Sequence, residues 1–355
     1  MLPTKWVDDV AFVAVAINGK PAGRFMLDTG ADAVVLTRAT IDSLELPRVV
    51  IGDDKNKIVV AGAGNTQVAS TGGAAVAELR CGPLVLRNLD ALEADTTTFS
   101  RALGCPVAGV LPVTAFRDVV LTIDYVARRV EVAEPPGETP RGSNTLPLGP
   151  ASVPIVPMRI GSAEVSLLID SGSDEYLTLP DNMARSRRGQ AVETGKARAI
   201  GGDVSTRHAR LNARLDLAGH VLEDPVVEVV QDSAGAIGTE LLRHFRVVID
   251  QPHGCVTFSR ASDQPLRSPP VRRTGLGLLR DGSHWTVAYL LAGTPAVTTK
   301  VRVGDEVVAV DGVAVGDLSR RQYARLVDER DVLRFRVRAG NNLREVDVPV
   351  AVLVP

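Results

Sequence analysis

Two short stretches of the chain, 25–37 and 167–179, share one order of residue types. Each has apolar residues, then an aspartate (Asp28 or Asp170), a hydroxyl residue, a glycine, a small residue, a second acid and a further apolar run. This order is typical of a strand, a turn and another strand. An aspartate at the end of a buried strand costs free energy unless it is hydrogen-bonded or used in chemistry. Two such aspartates suggest a pair of carboxylates brought together.

Two carboxylates held about 3 Å apart share one proton, because both cannot ionise cheaply. The ionised partner can take a proton from a water that attacks a carbonyl, while the protonated partner donates to the carbonyl oxygen. This chemistry hydrolyses a peptide bond without a metal or a cofactor, so neither is expected. Thr29 and Ser171 could bond across to the opposite stretch, and Gly30 and Gly172 permit a backbone geometry that a side chain would obstruct.

The elements that position these turns recur in the same order and predict a duplicated, mostly β unit. In both copies the aspartate is followed by a Gly-rich hairpin tip, a hydrophobic pair with a glycine, and a strand that ends in aspartate. These landmarks are Gly64, Gly109 and Asp124 in the first copy and Gly202, Gly238 and Asp250 in the second. The Pro/Gly-rich segments 134–154 and 259–274 predict linkers. The expected domains are therefore 1–138, 139–262 and 263–355.

Composition and charge disfavour several other classes of protein. The net charge is −2 over 355 residues, so electrostatics gives no case for nucleic acid. No apolar run approaches the length of a membrane span, and the histidines lack metal-ligand spacing. The scattered cysteines at 81, 105 and 255 predict reduced thiols. A single bridge between Cys81 and Cys105 stays open.

The start of the chain, from Met1 to Trp6, lacks the charged and apolar regions of a signal peptide. The chain as written is therefore expected to be cytoplasmic. It would be periplasmic or secreted if a signal peptide had been removed, so the compartment stays open.

Residues 7–260 resemble the aspartic peptidases. Residues 28–32 resemble the signature of the retropepsin-like branch, and residues 170–173 resemble the second signature of two-lobed enzymes. The segments 107–109 and 236–238 are similar to the hydrophobic-hydrophobic-glycine element that packs behind the catalytic loop. The resemblance implies a two-lobed aspartic-peptidase β-barrel fold, aspartic endopeptidase activity on a peptide or protein substrate, and a bacterial origin.

The resemblance also implies roles for individual residues. Asp28 and Asp170 would be the catalytic dyad, supported by Thr29, Gly30, Ser171 and Gly172. The residues implied to bind substrate are Asp32, Asp174 and the flap-like hairpin glycines Gly62, Gly64, Gly201 and Gly202. Asp32 and Asp174 have an alternative interpretation as exposed turn acids. Since Ala31 cannot lower a carboxylate pKa as the Ser173 hydroxyl can, activity is expected at mildly acidic to neutral pH.

The C-terminal segment, 263–355, resembles a PDZ domain of the bacterial peptidase type. The resemblance rests on 275–278, 293–296 and 303–312. It implies that Leu276, Gly277 and Leu278 pair with a C-terminal peptide as an added strand. The alternative is a packing or assembly domain with a closed groove.

Two other functions stay open beside the endopeptidase. One is a catalytically silent peptide-binding or scaffold protein of the same fold. The other is a pair of lobes that works only within a larger assembly. Retention of both Asp28 and Asp170 favours the enzyme.

Overall fold

The computed structural model describes residues 1–51, 58–61, 67–70, 72–199, 202–231, 234–262, 264, 266–281 and 284–355. The chain is mostly β, in line with its many turn residues and few aromatics. We divide the strands, in chain order, into a first unit, a second unit and a C-terminal unit. Of the helices in the described ranges, none is long and apolar enough to cross a membrane. The cysteines at 81, 105 and 255 are free, which confirms the prediction of reduced thiols.

The first unit contains a curled eight-stranded sheet, a separate two-stranded hairpin and two strands of a sheet shared with the second unit. Its strands are β1 (Thr4–Val7), β2 (Val10–Ile17), β3 (Lys20–Asp28), β4 (Val35–Leu36), β5 (Arg48–Val50), β6 (Ile58–Ala61), β7 (Gln67–Ser70), β8 (Gly72–Cys81), β9 (Leu84–Glu93), β10 (Gly109–Pro112), β11 (Val120–Asp124) and β12 (Arg129–Ala133). One sheet has the order β1-β2-β3-β10-β4-β9-β8-β5, and an added β2–β8 pairing closes it into a barrel. Asn18 and Gly19 make the predicted turn between β2 and β3, with φ of 51° and 78°.

Short helices complete the first unit. They are α1 (Arg38–Ser43), α2 (Thr97–Leu103) and a 3-10 helix at Val113–Phe116. Helix α2 is not apparent from the sequence, because its stretch contains threonines, which have weak helix propensity. Gly104 ends this helix in the left-handed conformation, with φ of 63°.

The second unit repeats the plan with a sheet in the order β17-β18-β21-β16-β22-β15-β14-β19-β20. Its elements are β13 (Thr145–Pro147), β14 (Ile155–Ile160), β15 (Ala163–Ile169), β16 (Leu177–Pro180), β17 (Val192–Ala199), β18 (Gly202–Arg210), β19 (Arg214–Leu217), β20 (His220–Glu223), β21 (Val226–Val230), β22 (Ala236–Ile237), α3 (Thr239–Leu242), β23 (Arg246–Asp250) and β24 (Cys255–Ser259). Strand β13 lies inside the predicted linker 134–154. It forms because Leu146 packs against the core while the backbone pairs with β24.

The two units are joined by a shared sheet in the order β12-β11-β23-β24-β13. Strands β11 and β23 pair antiparallel, from Val120 opposite Asp250 to Asp124 opposite Arg246. Their terminal aspartates play the same role, since each carboxylate accepts a backbone N–H three residues later. One continuous apolar core runs through both units. The duplication predicted from the sequence therefore has a matching duplication of structure.

The C-terminal unit has its own core and its own main sheet. Its elements are β25 (Val271–Arg273), β26 (Leu276–Asp281), β27 (His284–Leu290), β28 (Glu306–Val310), β29 (Val313–Ala314), α4 (Arg320–Glu329), β30 (Val332–Ala339), β31 (Asn342–Pro349), β32 (Ala351–Val354) and 3-10 helices at Pro295–Thr298 and Val315–Asp317. The main sheet has the order β26-β27-β28-β30-β31. Helix α4 begins after Ser319, whose side chain and that of Gln322 form a capping box.

Candidate active site

Two equivalent strands deliver Asp28 and Asp170 to one place. Strand β3 ends at Asp28, and Asp170 directly follows β15. Beside β3 runs β10 in parallel, and beside β15 runs β22 in parallel. The two predicted hydrophobic-hydrophobic-glycine segments lie at these neighbours: Gly109 begins β10, and Gly238 directly follows β22. Both aspartates are half-buried, so their carboxylates lie at the surface of the joined core.

Reciprocal hydrogen bonds lock the two turns together. The Thr29 N–H donates to the Ser171 hydroxyl oxygen at 2.9 Å, and the Ser171 N–H donates to the Thr29 hydroxyl oxygen at 2.9 Å. Each hydroxyl in turn donates across to a carbonyl: Thr29 to Ile169 at 2.7 Å and Ser171 to Leu27 at 2.9 Å. Both hydroxyl residues are buried. The structure thus brings together the two hydroxyl residues that the sequence singled out.

The glycines of the two turns make room for the facing carboxylates. The Gly30 N–H donates to Asp28 Oδ1 and the Gly172 N–H to Asp170 Oδ1, each at 2.8 Å. A Cβ on Gly30 would lie 2.8 Å from Asp170 Cγ, and a Cβ on Gly172 would lie 2.7 Å from Asp28 Cγ. Each aspartate therefore packs over the glycine of the opposite turn. Any side chain at either glycine would displace the partner carboxylate.

The two carboxylates hold protons more tightly than isolated aspartates do. Burial and the charge of Asp170 raise the pKa of Asp28 to about 8, against hydrogen bonds from the Gly30 and Ala31 amides. Burial also raises the pKa of Asp170, opposed by hydrogen bonds from Gly172, from Asp28 and from Ser173. Such a pair titrates as a unit. It keeps one proton near neutral pH.

Hairpins stand where the sequence predicted flaps. Strands β6 and β7 pair antiparallel, as do β17 and β18. Gly202 begins β18 opposite Ala199. The other hairpin glycines, Gly62, Gly64 and Gly201, lie outside the described residues.

The two acids expected to bind substrate have different surroundings. Both Asp32 and Asp174 are exposed. The Asp32 backbone carbonyl accepts the Thr114 hydroxyl at 2.8 Å, and in the described ranges its carboxylate has no ion-pair partner. Asp174 forms an ion pair with Arg320 of α4. The C-terminal unit therefore reaches the second turn.

The residues implied to bind a C-terminal peptide all lie on β26, far from the dyad in sequence. They are Leu276, Gly277 and Leu278. This strand is at the edge of its sheet. Leu276 is buried and Leu278 is half-buried. A Cβ on Gly277 would lie 2.1 Å from the Tyr289 ring, so the glycine is required by a close approach.

Sequence reasoning missed a polar network beside the second turn. Glu175 Oε2 lies 2.9 Å from His208 Nε2, and His208 Nδ1 lies 2.6 Å from the Thr194 hydroxyl. The network ties the residue after Asp174 to both strands of the β17–β18 hairpin. Burial and the charge of Glu175 raise the pKa of the neighbouring Glu228 to about 7. One sequence signal could have pointed to Glu175: it is an acidic residue at the position where the first copy has an alanine, Ala33.

No metal cluster accompanies the dyad: the described part of the chain contains no group of three or more His, Cys, Asp or Glu side chains that could hold a metal ion.

Two ranges of the chain, 13–114 and 156–241, match the family model described as Aspartyl protease. Together they cover more than half of the chain. Each range holds one aspartate turn and one hydrophobic-hydrophobic-glycine segment. A comparison with curated proteins found no match.

Proposed function

The chain belongs to the aspartyl protease family, and from this premise we propose that it is an endopeptidase whose water is activated between Asp28 and Asp170. One observation carries the proposal: each carboxylate packs over the glycine of the opposite turn. A half-buried acid pair that retains one proton has both a base and an acid available at the same time.

In the proposed reaction the proton shared by the two carboxylates is donated to the substrate and later returned. The ionised carboxylate takes a proton from the water as its oxygen bonds to the scissile carbonyl carbon, and the protonated carboxylate donates to the carbonyl oxygen. The tetrahedral intermediate then collapses as the C–N bond breaks. The carboxylate that took the water's proton gives it to the amine nitrogen, and the former carbonyl oxygen returns its proton to the other carboxylate. Thr29 and Ser171 would hold the two carboxylates in this arrangement without touching the substrate. The dyad ends with one proton, as it began.

The remaining site residues are proposed to hold the substrate main chain. Asp32 and Asp174 stand exposed beside the two catalytic turns. The β6–β7 and β17–β18 hairpins would cover the peptide, and the glycines proposed to contact it are Gly62, Gly64, Gly201 and Gly202. Tips without side chains let backbone approach backbone closely.

The C-terminal unit is proposed to be a PDZ domain that recruits substrate or regulates access. One support is the edge position of β26 in its sheet. The other is the closeness of α4, the only long helix of this unit in the described ranges: Arg280 of β26 lies over the Tyr323 ring of α4, 5.4 Å from its centroid. Arg280 also lies 3.9 Å from the Trp285 ring. Titration with a peptide that has an apolar C-terminus should change Trp285 fluorescence. An unchanged signal at millimolar peptide would contradict the assignment.

Replacement of either aspartate tests the proposed reaction. Asp28→Asn and Asp170→Asn each leave shape nearly unchanged but remove the acid–base pair, so peptide cleavage should fall by roughly 10²–10⁴-fold in each. The measurement is kcat/KM on a broad peptide library between pH 3 and 8. Asp90→Asn, an exposed acid on β9, serves as the matched control and should retain activity.

Two outcomes would contradict the mechanism. If only one of the two substitutions abolished cleavage, the shared-proton pair would be wrong. If the unmodified protein cleaved no library member yet bound a statine-containing peptide, the silent peptide-binding protein would replace the enzyme.

A further inference from the structure

An arginine of the C-terminal unit forms an ion pair with one of the two acidic residues proposed to bind substrate. Arg320, the first residue of α4, pairs with Asp174, four residues after the catalytic Asp170. Both side chains stay half-exposed, at 44% and 51%. Partial desolvation lowers the pKa of Arg320, and the charge on Asp8 of the first unit acts in the opposite direction. Arg320 therefore stands near acids of both units.

Further polar contacts of the C-terminal unit reach both halves of the protease. Arg321 lies 3.5 Å from Asp9 of the first unit. Asp281 lies 3.8 Å from Arg101 of α2. The Lys196 N–H in the β17–β18 hairpin donates to the Tyr289 hydroxyl at 2.7 Å. We call these contacts, with Arg320–Asp174, the cleft-side contacts.

A second set of contacts of the C-terminal unit, formed by β25 and β32, is apolar. Val271 and Val354 pack with Val226 of the second unit in a small buried cluster. The Val226 N–H donates to the Ser268 hydroxyl at 2.6 Å, and the Arg210 guanidinium donates to the Pro355 carbonyl. The apolar burial of this second set is insensitive to NaCl, whereas half-exposed ion pairs hold weakly and are screened by salt. The cleft-side contacts are thus the weaker attachment.

We propose that Arg320 is a specificity-determining residue: it competes with the substrate main chain for Asp174, so that the C-terminal unit restricts the second-unit end of the cleft. This inference rests on the proposed function of Asp174. The first unit supplies the comparison, because Asp32 at the equivalent position carries no ion pair in the described ranges. A peptide that extends past Asp174 must displace Arg320, whereas one that extends only past Asp32 need not.

The test compares Arg320→Ala with Arg325→Ala. Arg325 lies on the same helix and pairs with Glu329 within that helix, so it controls for loss of a surface arginine. Two series of peptides are shortened one residue at a time from either side of the scissile bond. Arg320→Ala should lower KM about two- to fivefold for peptides extended on one side only, with kcat unchanged. Arg325→Ala and Arg320→Lys should resemble the unmodified protein.

Salt supplies an independent readout. Raising NaCl to about 0.5 M should lower KM for the same extended peptides in the unmodified protein and have little effect in Arg320→Ala, because the screened pair is already absent. An equal KM in the two alanine variants, or a higher KM in Arg320→Ala, would overturn the proposal.

Affinity for statine-containing peptides of the same two series separates this inference from the proposed reaction. If the protein cleaves nothing but Arg320→Ala tightens binding of the extended series alone, the reaction fails and the competition stands. If cleavage depends on Asp28 but Arg320→Ala changes neither series, the competition fails and the reaction stands.

Discussion

The chemistry of the two aspartates depends on what surrounds each carboxylate. Burial favours the protonated form of both, and the amides of the two turns favour the ionised form. Asp170 receives N–H groups from Gly172 and Ser173, at 2.8 and 3.1 Å. The balance leaves a pair in which the pKa of each carboxyl is raised above that of an isolated aspartate.

These shifts predict a bell-shaped pH dependence. The proposed reaction needs one protonated and one ionised carboxylate, so kcat/KM should fall as the pH rises through the Asp28 pKa of about 8. On the acid side it should fall once Asp170 takes up a proton. Because burial also raises the pKa of Asp170, this loss should set in at a higher pH than for an isolated aspartate. The optimum should therefore lie at mildly acidic to neutral pH.

The profile should be measured with a peptide that carries no ionisable side chain. Glu228, with its pKa of about 7, titrates in the same range, so Glu228→Gln should be measured in parallel and should keep the alkaline limb. An optimum below pH 3 would show that the pKa values of the two aspartates are not raised.

At the scale of elements, the position of each aspartate depends on a neighbouring strand that approaches unusually closely. A Cβ on Gly109 would lie 2.3 Å from the Val35 carbonyl oxygen, and one on Gly238 would lie 2.2 Å from the Glu175 carbonyl oxygen. Gly109 is paired with Phe25 of β3, the strand that ends in Asp28. The two glycines therefore allow β10 and β22 to support the turns from behind.

Gly109→Ala should reveal this support. The added methyl has no space, so we expect a loss of stability of about 1–3 kcal/mol and a lower kcat/KM as β3 shifts. Gly137→Ala is the control, because a Cβ there meets nothing within 4 Å and should change stability by less than about 0.5 kcal/mol. Urea unfolding can be followed by the fluorescence of Trp6, which packs edge-to-face against Tyr125 of the first unit, in a Trp285→Phe background. Equal midpoints for both variants would contradict the close approach.

At the scale of the whole molecule, the first two units are halves of one structure. They share the sheet through β11 and β23 and one continuous core. The grip between Thr29 and Ser171 lies in the same interface. Neither half can bury its apolar surface alone.

A cut between the halves should therefore leave them together. Residues 136–139 are exposed, so a specific protease site can be inserted there. The cut chain should elute from gel filtration at the position of the uncut chain and separate only under denaturing conditions. Dissociation of the two fragments in native buffer would contradict the shared core.

The sequence by itself determined the features that depend on local order. The aspartate turns, the Asn18–Gly19 hairpin and the repeated hydrophobic-hydrophobic-glycine segments were predictable because turn chemistry and strand alternation act between near neighbours. The pairing of Asp28 with Asp170 followed from the repeat, since two equivalent elements related by symmetry present equivalent residues to each other. Short helices with weak propensity, such as α2, were not predictable in this way.

Only the tertiary structure decided the features that depend on distant neighbours. The proton affinity of the dyad reflects burial and facing amides, which have no signature in the sequence. The contacts of Glu175 with His208, and of Asp174 with Arg320, join residues on separate elements. Their spacing along the chain carries no information, because packing between sheets, and here between units, sets which side chains meet.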